Sequence, residues 1–178
     1  MKEFKLSKER IARVWVNEWP ISKKDSPKIK SNHFIEAECR GSLICIHNTI
    51  VVELLVPLGG KFSYGMLGVT TLGEKSFNPK IELCDSLDLM NDDVSSALAN
   101  SIDTIESYIG NEYRDSILIG ARDSAQEYLD LPEVIRFFGG RQGAFGSSQS
   151  LFKKLAFICL RLLSSPKEDM KEELEKTL

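Results

Sequence analysis

Residues 34–57 read FIEAECRGSLICIHNTIVVELLVP, and this stretch indicates the fold class. Apolar and acidic residues alternate through 34–39, and β-branched residues fill 49–56 before Pro57. Turn-prone residues separate these runs at Arg40 and Gly41 and again at His47 and Asn48. Alternation bounded by turn residues is typical of β-strands. The stretch therefore predicts antiparallel strands joined by short turns.

The flanking sequence extends this β-rich pattern over residues 31–90. Residues 58–80 carry five glycines among aromatic residues and threonines, which predicts short strands and another hairpin, and 81–84 is predicted as a further strand. Residues 1–30 hold both tryptophans and a loop rich in lysine, serine and proline. The apolar positions before that loop fit a helix and a strand equally, so both interpretations stay open.

The apolar period changes after residue 91. Apolar residues recur every three or four positions from Val94 to Ile109. This spacing predicts a helix over 92–109, capped by Asn91 or Asp92 and ended at Gly110.

Further along the chain, a second helix is predicted over 112–129, with Ile117, Ala121 and Ala125 facing inward. A short apolar run predicts a strand over 134–138. A glycine-rich segment, 139–146, then leads to a serine cap at 147–148 and to the most apolar helix of the chain.

These elements predict one α+β domain over residues 1–178, because no internal repeat or long linker interrupts them. The expected architecture is an antiparallel sheet, with hairpins in the N-terminal half, packed against two or three helices. Its parts are an N-terminal segment and loop (1–30), a β-rich region (31–90), a helical region (91–165) and a charged tail (166–178). The tail is expected to be a surface helix or frayed.

Composition excludes several classes of protein. With 42% hydrophobic and 28% charged residues, the 178-residue chain is neither disordered nor collagenous, and no apolar run approaches the length of a membrane span. The four cysteines form no CxxC pair, and the first ten residues alternate charge without an apolar signal region. These features predict a cytoplasmic protein with reduced cysteines, no cofactor and no membrane partner.

The net charge of −3 hides an uneven distribution. Residues 1–80 carry +5, residues 81–130 carry −10 and residues 131–178 carry +2. Acids on the outer face of the predicted 92–109 helix allow two interpretations: a face kept soluble by charge, or a docking surface for a basic partner. On the second interpretation, the predicted partner-binding residues are Asp85, Asp88, Asp92, Asp93, Asp103 and Glu106.

Catalytic and metal sites find little support in the sequence. Cys39, Cys45 and His47 could form a thiolate–imidazole pair on a hairpin, although cysteines on strands more often belong to the core. The GGKF at 59–62 lacks the glycine and hydroxyl residue of a P-loop. The glycine-rich segment around Arg141 could hold an anion or simply turn the chain. No catalytic or metal-ligating residue is predicted, and the chain is expected not to be an enzyme.

One local resemblance lies in the second half of the chain. YRDSILIGAR at 113–122, Gly140, the serines at 147–148 and FK at 152–153 resemble the fourth domain of translocation elongation factor G over about 50 residues. The resemblance implies a helix, a strand, a glycine loop and a serine-capped helix in that order. It also implies an RNA- or ribosome-associated module that would use Lys23–Lys30, Arg141, Lys153 and Lys154. This is the alternative function.

The preferred resemblance covers more of the chain. The stretches LDLMNDD at 87–93 and LPEVIRFF at 131–138, together with the small α+β domain and its acidic block, resemble immunity proteins of contact-dependent growth inhibition systems. That resemblance implies a non-enzymatic inhibitor that binds and neutralises a cognate toxin domain, often a basic nuclease. The expected partner is therefore a basic toxin protein, and nucleic acid is not expected.

Overall fold

The computed structural model describes residues 1–18, 33–84 and 93–178. Within these ranges the chain has an α+β fold, in which a mixed, largely antiparallel sheet packs against helices. Its strands are β1 (Lys2–Lys5), β2 (Ile11–Val16), β3 (His33–Glu36), β4 (Leu43–Ile44), β5 (Thr49–Leu58), β6 (Lys61–Ser76), β7 (Lys80–Leu83), β8 (Ile105–Glu106) and β9 (Tyr128–Gly143). Its helices are α1 (Arg114–Ala125), α2 (Gln149–Leu163) and α3 (Met170–Thr177).

The strand order in the sheet is β1-β2-β5-β6-β9-β7-β3, with β4 and β8 pairing with β9 beside this path. Strands predicted near 34–39, 43–46 and 49–56 are present as β3, β4 and β5. The prediction that short turns pair them with one another is wrong, since β3 pairs with β7, β4 with β9, and β5 with β2 and β6. The β4–β9 and β7–β9 pairs are parallel, so the sheet is mixed rather than purely antiparallel.

The centre of the sheet is a hairpin of two long strands, β5 and β6. Gly59 and Gly60 both have positive φ angles, 55° and 88°, and form the tight turn between them. Glycine adopts this backbone conformation without a steric penalty, which makes the turn possible. The prediction of several short strands over 58–80 is wrong, because β6 runs unbroken for 16 residues.

The N-terminal residues form a second hairpin, and strand is therefore the correct interpretation for the start of the chain. β1 pairs with β2 in an antiparallel register from Lys2–Val14 to Lys5–Ile11. Lys8 and Glu9 in the connection have φ angles of 56° and 59°, a left-handed conformation that is unfavourable for residues other than glycine. The predicted loop over 20–30 lies outside the described residues.

The helices cover one face of the sheet and bury the main core. α2 contributes Leu151, Phe152 and Leu155, which are almost fully buried, and its N-cap is Ser148, whose hydroxyl accepts a hydrogen bond from the Leu151 amide. The predicted serine cap and helix are confirmed. α1 is shorter than predicted, but it buries its inward residues as expected. A Cβ atom at Gly120 would overlap the backbone of α2, which explains how closely the two helices approach.

The charged tail is better packed than expected. α3 buries Met170 and Leu174 against the core, while its charged side chains point outward. Ser7 fixes the helix to the β1–β2 connection, because its amide and hydroxyl both donate to the Glu175 carboxylate at 2.6 Å.

The predicted helix over 92–109 is wrong in the part that the structure describes. Residues 93–106, the covering segment, form a 3₁₀ turn at Val94–Ser96, a series of turns and strand β8. The segment is rich in serine, asparagine and aspartate, whose side chains compete for backbone hydrogen bonds and disfavour helix interiors. Three of its apolar residues still become buried, since Ala97, Ala99 and Ile105 pack on Tyr64 on the sheet face opposite the helices.

Candidate functional site

A buried ionic cluster lies beneath the covering segment. Glu53, on β5, has no exposed surface, and its carboxylate accepts hydrogen bonds from the Tyr64 hydroxyl at 2.8 Å and the Leu98 amide at 3.1 Å. Arg13 and Arg141 place guanidinium nitrogens 3.4 and 3.6 Å from its two oxygens. Burial, and then the charge and hydrogen bond of Glu53, raise the pKa of Tyr64, so that its hydroxyl remains a donor.

This cluster holds the covering segment on the sheet. In addition to the Leu98 amide bound by Glu53, Arg13 donates to the Ser96 carbonyl at 2.7 Å and Arg141 donates to the Asp93 carbonyl at 3.3 Å. Three backbone groups of the segment are therefore fixed by charged side chains. Hydrogen bonds to charged groups are stronger than neutral ones, so the cluster has a structural role.

Asp103, one of the predicted partner-binding residues, binds the chain's own backbone. Its carboxylate accepts hydrogen bonds from the amides of Thr104 at 2.8 Å, Phe145 at 3.2 Å and Gly146 at 2.9 Å. Asp103 therefore holds the 143–146 turn in place. The side chain is only partly exposed, so its main role is to stabilise the fold.

The other described acids remain at the surface. Asp93 is exposed and caps the 3₁₀ turn by accepting the Ser95 amide at 2.9 Å, and hydrogen bonds from Ser95 lower its pKa. Glu106 is half-buried and accepts from the Gln142 amide group at 2.7 Å. A hydrogen bond to Glu106 raises the pKa of Tyr108. The predicted residues Asp85, Asp88 and Asp92 lie outside the described residues.

The amides of the glycine-rich segment that could bind an anion already donate hydrogen bonds within the chain. Gly139–Gly143 belong to β9, and the amides of residues 145 and 146, which could bind a phosphate, donate to Asp103. The Ala144 amide donates to the Thr104 carbonyl at 3.0 Å, and the Gly143 amide donates to the Ser147 hydroxyl at 2.8 Å. The anion-binding interpretation is therefore not supported, and the segment turns the chain from β9 into α2.

Among the large apolar side chains in the described ranges, the most exposed projects from this turn. Phe145 has 86% of its surface exposed, and Ile102, at 51%, precedes the residue that holds the Phe145 amide. Glu106 lies on β8 and Tyr108 just after it. Glu112 lies in a 3₁₀ turn (Asn111–Tyr113) just before α1, and its carbonyl accepts a hydrogen bond from the Gln149 side chain at 3.1 Å. We call the outward side chains of Ile102, Glu106, Tyr108, Glu112 and Phe145 the loop face.

The segments that build the loop face are acidic, and Glu106 and Glu112 are the carboxylates of the face itself. Residues 93–113 and 142–152, which build it, contain four carboxylates and no lysine or arginine. A neighbouring exposed cation is Lys61, beside Phe62, whose ring lies against Gly146. The sequence signal for Phe145 was an aromatic residue between glycines, GAFG at 143–146, and the signal for Glu53 was one acid within the apolar strand 49–56.

The predicted thiolate–imidazole pair of Cys39 or Cys45 with His47 is not formed in the structure. The Cys45 thiol donates to the His47 carbonyl at 3.1 Å, and the His47 ring nitrogen Nε2 lies 3.0 Å from the Ser165 carbonyl instead of a thiol. Burial raises the pKa of Cys39 to about 11 and also raises that of Cys45. Higher pKa values disfavour the thiolate, so these cysteines behave as core residues.

The basic residues of the alternative RNA-binding hypothesis do not form one described surface. Arg141 is 3% exposed and lies in the Glu53 cluster, and Lys153 pairs with Asp123 at 2.9 Å. Lys154 is exposed on α2, whereas Lys23–Lys30 lie outside the described residues. The order of helix, strand, glycine turn and serine-capped helix is present as α1, β9, residues 144–146 and α2.

Residues 1–18, 33–84 and 93–178 contain no group of three or more histidine, cysteine, aspartate or glutamate side chains placed to hold a metal ion. In the same ranges no helix has the length and apolar character needed to cross a membrane. The sequence matches no protein-family model and no curated protein.

Proposed function

We propose that this chain is a non-enzymatic inhibitor that binds and neutralises a cognate toxin domain with a basic surface, such as a nuclease, in the cytoplasm of the cell that makes it. The observation that carries the proposal is the charge of the segments that build the loop face: residues 93–113 and 142–152 contain four carboxylates and no arginine or lysine. An acidic surface attracts and orients a basic cleft, because it imitates the phosphates that a nuclease binds.

The acids have different roles in this proposal. Glu106 and Glu112 supply charge at the surface of the loop face, and Asp93 adds charge beside it. Asp103 acts indirectly, since its carboxylate is bound to the backbone of the 143–146 turn. The described members of the predicted set therefore have two proposed roles: Asp93 and Glu106 supply charge, and Asp103 shapes the surface. Glu112 was not in that set and is added here.

The test begins with the product of the gene adjacent to the one for this chain. Its C-terminal domain is purified, assayed for growth inhibition and nuclease activity, and titrated with the chain. We expect a stoichiometric complex that abolishes toxicity. The double variant Glu106→Lys/Glu112→Lys should lower the association rate at low ionic strength by at least about tenfold and weaken its salt dependence.

A matched charge reversal gives the control. Glu74 and Glu133 are exposed near the opposite end of the β6–β9 ladder, roughly 30 Å from the loop face. Glu74→Lys/Glu133→Lys makes the same change in net charge and should leave most of the association rate intact. Equal losses for both double variants would contradict a localised docking face. An adjacent product whose toxicity is unaffected by this chain would contradict the proposed function.

A further inference from the structure

Phe145 is exposed on a backbone that is held from several sides. Its amide and that of Gly146 donate to Asp103, and the Gly146 carbonyl accepts from the Tyr64 amide at 3.0 Å. The Ser147 hydroxyl donates to the Tyr64 carbonyl at 2.8 Å. These bonds tie the turn to β6 and to the covering segment.

The packing below the turn allows little movement. A Cβ atom at Gly146 would lie 2.5 Å from the Phe62 ring and 3.1 Å from the Asp103 carboxylate, so the backbone sits directly on these groups. Because the backbone is already ordered, burying the Phe145 ring in a partner would cost little further conformational entropy. Aromatic residues, phenylalanine among them, are enriched in protein–protein interfaces.

We propose that Phe145 is the apolar anchor of the interface and that it enters an apolar pocket, rimmed by lysine or arginine, on a basic protein partner. This inference rests on the proposed function, since it assigns the partner chemistry of the same loop face. Charge complementarity selects the occupant: Asp103, which binds the Phe145 amide, and Glu106, which pairs with Gln142 on β9, favour a cationic rim and repel the phosphates of nucleic acids and acidic lipids. Asp103 is the positioning residue for this anchor.

The first experiment measures the affinity of the purified toxin domain for single variants. Phe145→Ala should weaken binding by about 30-fold or more, the effect of a hot-spot residue. Phe77→Ala is the matched control, because Phe77 is also a highly exposed phenylalanine, at 64%, but lies between β6 and β7. Equal affinities for Phe145→Ala and the wild type would overturn the inference.

The role of Asp103 is tested by a double-variant cycle. Asp103→Ala should weaken binding when Phe145 is present, and it should have much less effect in the Phe145→Ala background, because its contribution passes through the anchor. A general loss of folding would reduce binding in both backgrounds by the same factor. Additive effects would therefore overturn the positioning role, and thermal unfolding identifies variants that fail to fold.

A second probe separates this inference from the proposed function. The wild type is titrated with a synthetic peptide of alternating lysine and leucine and with a matched glutamate–leucine peptide, while backbone amide signals are followed by NMR. The lysine peptide should shift the amide signals of residues 143–147 and should bind more tightly than the glutamate peptide. Its affinity for Phe145→Ala should be lower than for the wild type by a factor of about five or more. If it binds as expected but the toxin is not neutralised, the proposed function alone fails. If the toxin is neutralised, but Phe145→Ala binds both the toxin and the lysine peptide as tightly as the wild type does, the anchor role of Phe145 is refuted and the proposed function stands.

Discussion

Glu53→Ala should be among the most destabilising single substitutions in the described chain. The carboxylate is fully buried and is shared by Tyr64, the Leu98 amide and two arginines. Removing one partner of a buried ion pair costs about 3–5 kcal/mol, since the remaining charge keeps its desolvation cost. The Tyr64 hydroxyl and the Leu98 amide also lose their acceptor, so we expect the free energy of unfolding to fall by about 4 kcal/mol or more.

Glu53→Gln separates charge from hydrogen bonding. The amide oxygen of glutamine can still accept from Tyr64 and Leu98, whereas the attraction to Arg13 and Arg141 is lost. We expect a smaller loss of about 2 kcal/mol, within the range measured for hydrogen bonds to charged groups. Tyr64→Phe removes one neutral donor and should cost about 1 kcal/mol.

Urea unfolding followed by circular dichroism measures these differences, which are large against a typical total stability of about 5–15 kcal/mol. Hydrogen exchange at the Leu98 amide reports on the covering segment directly and should accelerate in both Glu53 variants. Losses below about 1 kcal/mol for Glu53→Ala, or unchanged exchange at Leu98, would refute the reasoning that the cluster holds the segment.

Three further predictions concern other parts of the fold. Gly120→Ala should destabilise the protein by at least about 2 kcal/mol in urea unfolding, because its Cβ would overlap a backbone carbonyl of α2 and overpacking is costly. Lys8→Gly should stabilise the β1–β2 hairpin by roughly 0.5 kcal/mol, measured as a rise in Tm, since glycine accepts its left-handed backbone. Burial would raise the pKa of Glu82, but hydrogen bonds from Arg136 and Lys80 outweigh it and the pKa is lowered from 4.5. The stability that Glu82 contributes should therefore be complete above pH 4.5 and be lost as the pH falls through the lowered folded-state pKa, measured as the difference in unfolding free energy between the wild type and Glu82→Gln.

Each of these predictions has a result that contradicts it. A Gly120→Ala variant as stable as the wild type would mean that α1 and α2 can separate at little cost. For the hairpin, Lys5→Gly is the control: Lys5 lies in strand β1, so the same substitution should destabilise there. For Glu82, a difference between the wild type and Glu82→Gln that stays constant from pH 6 to about pH 3 would rule out the ion-paired carboxylate as its source.

Local patterns account for the correct part of the sequence analysis. The strands β3, β5 and β7, the helix α1, and the Ser148 cap of α2 were predicted because alternation, helical spacing and capping depend on near neighbours in the chain. The same information could not choose the pairing of strands. β9 pairs with β6, β7, β4 and β8, and these pairs join residues separated by long stretches of chain.

The 92–109 prediction shows where local reasoning fails. Val94, Leu98 and Ile105 are spaced as in a helix, but the described part of the segment lies flat on the sheet. Glu53, 45 residues away, binds the Leu98 amide, and Asp103 binds the Gly146 amide 43 residues further on. Tertiary hydrogen bonds to charged carboxylates therefore replaced the helical pattern that the apolar spacing favoured.

The sequence by itself determined the α+β class, the positions of most strands and helices, and the concentration of negative charge between residues 81 and 130. Only the tertiary structure decided what the acids do. It buried Glu53 among arginines, turned Asp103 toward the backbone of the 143–146 turn, and left Glu112 and Phe145 exposed and Glu106 half-buried. The physical reason is that periodicity and charge are properties of short stretches of chain, whereas the burial and partners of a side chain depend on distant residues that folding brings together.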